Sequence, residues 1–135
     1  MSVTLSDQDK NTLRTAAYGA ISLLAAAAGN DSPGKIASQG SIALHSATGL
    51  VGHVLSEKSS AGDLSGKTTA ELADRVLPAL TEAVEVLKKH APEEAANFRG
   101  AVLVAAETGA QARKGGASPA VTEMIRKITA ALDAA

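Results

Sequence analysis

Apolar residues return every three or four positions along most of this chain, and each run is bracketed by residues that start or stop a helix. Leu13, Ala17, Ile21, Leu24 and Ala28 form one stripe. Leu72, Val76, Leu80, Ala83 and Leu87 form another, and Val121, Met124, Ile125, Ile128 and Leu132 a third. This spacing fits the 3.6-residue turn of an α-helix and not the two-residue alternation of a half-buried strand. The best strand-like run, Val102-Leu103-Val104, continues into Ala105-Ala106-Glu107, which favours a helix. The chain therefore reads as all-α, an up-and-down bundle of about five helices in one domain spanning residues 1–135.

The punctuation predicts where each helix lies. Ser6 caps the first, with Asp7 and Asp9 in its first turn, where negative charge suits the helix dipole. This helix runs to about Ala28, and Gly29 takes the left-handed position beyond it. Ser32-Pro33 opens a second helix, cap followed by proline at the first helical position, expected to continue to Lys58. Thr68 with Glu71 makes a capping box for the third, and Pro78 inside its pattern is expected to bend it. Pro92-Glu93-Glu94 starts the fourth, carrying Phe98, Val102, Leu103 and Ala106 and closing at Arg113-Lys114. Ser118-Pro119 starts the fifth. Matched lengths and mostly short connections favour antiparallel packing.

Composition narrows the classes of function. Net charge is −1, which provides no long-range pull toward nucleic acid or an anionic membrane. Tyr18 and Phe98 are the whole aromatic complement, too few for a base-stacking surface. There are no cysteines, so disulfides, thiolate metal sites and cysteine nucleophiles are excluded. That usage, and an N-terminus without a basic region leading an apolar one, fits the cytoplasm. The 29 alanines allow close helix–helix approach at little conformational cost. Residues 15–30 and 36–56 lack formal charge and are read as helices buried among others, not membrane spans.

No catalytic grouping and no metal set emerges, and no cofactor is called for. Four side chains are candidates for lining a ligand pocket: Tyr18, His45, His53 and Glu107. Tyr18 shares a helix side with Arg14 and Ser22, either as the polar end of a pocket or as a packing anchor. His45 and His53, eight residues apart, point about 80° apart and cannot chelate one metal from a straight helix. Glu107 stands alone in a mostly uncharged stretch. Ser41, Thr48, Gly49 and Gly52 give the second helix a smooth side suited to close packing within the chain or to a symmetric subunit interface. Arg113-Lys114 and Arg126-Lys127 read as a solvated basic face.

Residues Ala61-Gly62-Asp63-Leu64-Ser65-Gly66-Lys67-Thr68 fit a permissive phosphate-loop pattern. The segment before it, Ser56-Glu57-Lys58-Ser59-Ser60, is not a buried strand, so the pattern reads as a loop ending in a helix cap.

The segment Ala17-Tyr18-Gly19-Ala20-Ile21-Ser22-Leu23-Leu24-Ala25-Ala26-Ala27-Ala28-Gly29-Asn30-Asp31, followed by a second helix, resembles tellurite-resistance (TerB-like) helical domains. The resemblance implies an alanine-rich helix ending in an acidic turn, with metal bound by the acids in some members. Here only Asp31 remains as a ligand, and a hard cation needs about six oxygens, so metal binding is not carried over.

The expectation is a non-enzymatic bundle that self-associates or binds a protein partner. Its rival is a small-molecule-binding domain or enzyme with a pocket between helices, in which at least two of the four candidate side chains converge on one cavity.

Overall fold

The computed structural model describes residues 5–29, 33–57, 68–112 and 118–135. It contains six helices: α1 (Asp7–Ala27), α2 (Pro33–His45), α3 (Gly49–Ser56), α4 (Thr69–His90), α5 (Pro92–Gln111) and α6 (Pro119–Asp133). No strand occurs among the described residues. Asp31, residues 61–67 of the phosphate-loop pattern and the Arg113-Lys114 pair lie outside them.

Local signals set most boundaries. The Asp9 amide donates to Ser6 Oγ at 3.0 Å, and the Val121 amide donates to Ser118 Oγ at 3.3 Å. The Glu71 amide donates to Thr68 Oγ1 at 3.1 Å while the Thr68 amide donates to the Glu71 carboxylate at 3.3 Å, closing the capping box. Gly29 adopts φ +62°, as its place after α1 requires. α4 runs unbroken through Pro78, which is exposed together with Asp74. The Asp74 carbonyl left without its helical donor therefore lies on the solvated side, where water can serve it.

The expected second helix is two helices. Residues 46–48 separate α2 from α3, and Gly49 takes φ +72°, a conformation that side chains with a Cβ disfavour. Gly52 is needed for the tight fold-back, since a Cβ there would stand 2.0 Å from the Ala47 carbonyl oxygen. Nor is this stretch fully buried. α2 buries only Ile36, Gly40 and Leu44, and leaves Ser38, Gln39 and Ile42 exposed.

α1 is the central element and packs against all five other helices. Its run Leu13 to Ala17 is buried without a break and takes Arg14 and Thr15 into the interior with the apolar residues. Neighbours approach closely where glycine permits. A Cβ on Gly19 would meet Val76 of α4 at 2.7 Å, and one on Gly40 would meet Ile21 of α1 at 2.8 Å. α2 and α5 run antiparallel, with Ile36 beside Gly109 near the start of α2 and Thr48, just beyond its end, beside Asn97. Buried residues of all six helices join one apolar core, with Phe98 as its largest side chain.

Candidate functional site

Both ends of α3 are held by side chains from distant elements. An eight-residue helix cannot hold itself together in water, so its order must come from docking. Val51, Val54 and Leu55 provide the apolar part and are fully buried or nearly so. At the N-terminus, Glu94 of α5 accepts the Val51 amide at 3.0 Å, and Asn97 donates to the Thr48 carbonyl at 2.8 Å. At the C-terminus, Arg14 Nε donates to the Val54 carbonyl at 3.1 Å, and the Tyr18 hydroxyl donates to the Leu55 carbonyl at 2.6 Å. A carboxylate thus meets the positive end of the helix and a guanidinium the negative end.

Arg14 is only 6% exposed, and its guanidinium is also paired with Glu57. Glu57 in turn draws in Lys10 at 3.8 Å and His53 at 3.4 Å. Burial pushes the Tyr18 hydroxyl pKa up, and the positive charge of Arg14 works against that rise.

The candidate side chains separate into three environments. Tyr18 and His45 meet edge to face, ring centroids 5.8 Å apart. His53 belongs to α3, beyond the break, and its side chain is 73% exposed beside Glu57. Glu107 is exposed on α5. The hydroxyl of Tyr18 is directed to the Leu55 carbonyl. Ser41 is half-buried, Thr48 and Gly49 are exposed and Gly52 is buried, and a Cβ on Gly49 would meet the Glu94 carboxylate at 2.9 Å. No group of three or more metal-ligating His, Asp or Glu occurs among the described residues. No described helix is long and apolar enough to cross a membrane.

Two open clefts flank the α4–α5 corner and share Pro92. One, of about 490 Å³, is lined by Leu50, His90, Ala91, Pro92, Glu93 and Glu94. The other, of about 360 Å³, includes Lys88, Arg99 and Asp133 in its wall. There Arg99 pairs with Asp133 at 2.7 Å, a hydrogen bond that holds the Asp133 carboxyl below its usual range. Neither cleft includes Tyr18, His45, His53 or Glu107. In the sequence, residues 90–94 read as the end of one helix and the start of the next, and Leu50 carries no signal linking it to them.

No protein-family model matches the chain, and no curated protein or solved structure shows significant similarity to it.

Proposed function

We propose that this chain is a non-enzymatic helical-bundle protein that self-associates through the outer face of α2 and α5. One observation carries this reading: Ile42 and Val104, on these two packed helices, are 57% and 61% exposed. A lone exposed aliphatic is ordinary. These two stand near one level. α2 and α5 run antiparallel and Gly109 faces both Ile36 and Gly40, which sets position 42 within about one helical turn of Val104. Ser38 and Gly100, both exposed, add little bulk to the two helices and so allow close approach by another helix. Ser41 and Thr48 border it.

The tests are light scattering and chromatography on the wild type and on Ile42→Asp and Val104→Asp. Both substitutions lie outside the core and should leave circular dichroism unchanged. A dimer that either charge converts to monomer is expected. A wild type that stays strictly monomeric at high concentration overturns the proposal. A dimer indifferent to both charges removes this face as its interface.

A further inference from the structure

The larger cleft shares none of its lining residues with that face, and its lining has a definite chemical character. Three helix ends meet there: the start of α3, the end of α4 and the start of α5. Leu50, Ala91 and Pro92 supply an apolar floor, and the volume of about 490 Å³ falls within the range of small-molecule sites. The polar groups in the wall are His90 and the carboxylates of Glu93 and Glu94, and no lysine or arginine lines it among the described residues. A further carboxylate, Asp9, lies 3.9 Å from His90 Nε2.

Glu94 is fixed in place before any ligand arrives. Its Oε1 accepts the Val51 amide at 3.0 Å and Asn97 Nδ2 at 3.3 Å. A carboxylate already oriented loses little freedom on binding. Helix starts by themselves attract anions. Here, however, Glu94 already occupies the start of α3, and Glu93 and Glu94 fill the first turn of α5. The remaining balance in the wall is negative.

We infer that this cleft binds a small organic cation, an apolar body bearing one protonated amine. The body covers Leu50, Ala91 and Pro92, and the ammonium group sits against Glu93 and Glu94. This inference is independent of self-association, since neither Ile42 nor Val104 lines the cleft.

Three probes of similar size and different charge test it: phenethylammonium, 2-phenylethanol and 3-phenylpropanoate. Each is titrated into the full ¹⁵N-labelled chain while amide shifts are followed by nuclear magnetic resonance. Phenethylammonium should give saturable shifts centred on Leu50 and residues 90–94, the alcohol weaker ones and the carboxylate none. Glu93→Gln should weaken the ammonium probe about fivefold, the upper end for an exposed charge pair. Glu93 is the informative position because Glu94 also holds α3. Absence of saturable shifts for the ammonium, equal binding of all three probes, or unchanged affinity in a normally folded Glu93→Gln variant each overturns the assignment.

Discussion

α3 and α4 are both ordered helices, but opposite kinds of interaction hold their ends. The start of α4 is satisfied by Thr68 and Glu71, three residues apart in one stretch of chain. The ends of α3 are satisfied by Arg14 and Tyr18 on one side and by Glu94 and Asn97 on the other, each some forty residues away in sequence. A self-capped helix carries its boundary wherever it goes. A helix capped by its neighbours exists only while the rest of the bundle is assembled around it, so the two should respond differently when a cap is removed.

The largest contrast is expected from Arg14→Ala. This change leaves the Val54 carbonyl and the Glu57 carboxylate without their buried partner, a loss of about 3 kcal/mol in unfolding free energy. Hydrogen exchange should show protection lost across the whole of α3 while α4 is spared. Uniform loss in both helices would break the distinction.

Tyr18→Phe should cost about 1 kcal/mol, because one hydroxyl donor to the Leu55 carbonyl disappears. It also has a pH signature. The folded-state pKa of Tyr18 is raised above its ordinary value of 10.0, so the folded chain holds this proton more tightly than the unfolded chain. Its contribution is complete below pH 10 and is lost as pH rises through the folded value. Denaturant melts of the wild type should therefore weaken above about pH 10, with a flatter profile in Tyr18→Phe. Parallel profiles would show that the hydroxyl has no such role.

The smallest effect is local. Thr68→Ala should cost about 1 kcal/mol or less and fray only the first turn of α4. Exchange that spreads into α3 would mean that the capping box has a longer reach than its geometry implies.

The same contrast explains what could be read in advance. Ser6, Thr68 and Ser118 were legible as caps because each bonds within three residues of itself. The aliphatic stripes of α1, α4 and α6 were legible because burial follows helical period. The break at residues 46–48 was not, since four glycines in this stretch look alike in sequence. Only the neighbours distinguish them: Gly40 accommodates Ile21, Gly49 turns the chain and Gly52 clears the Ala47 carbonyl.

The candidate site was legible only in part. Tyr18 and Arg14 stand on one helix side at a helical interval, and the structure keeps them together at the end of α3. Glu57, Glu94 and Asn97, which complete the clamp, carry no local mark of their partners. His90, Glu93 and Glu94 looked like ordinary helix-end charges, and Leu50 joins them only through the path of the folded chain.

The position of α1 has a consequence for how the molecule is made. α1 is synthesised ahead of the five helices that pack on it, and the surfaces that cover it arrive one after another until α6 emerges. A nascent chain stalled before Pro119 would carry a central helix with one flank still bare, the state in which sticky encounters with other chains compete with folding.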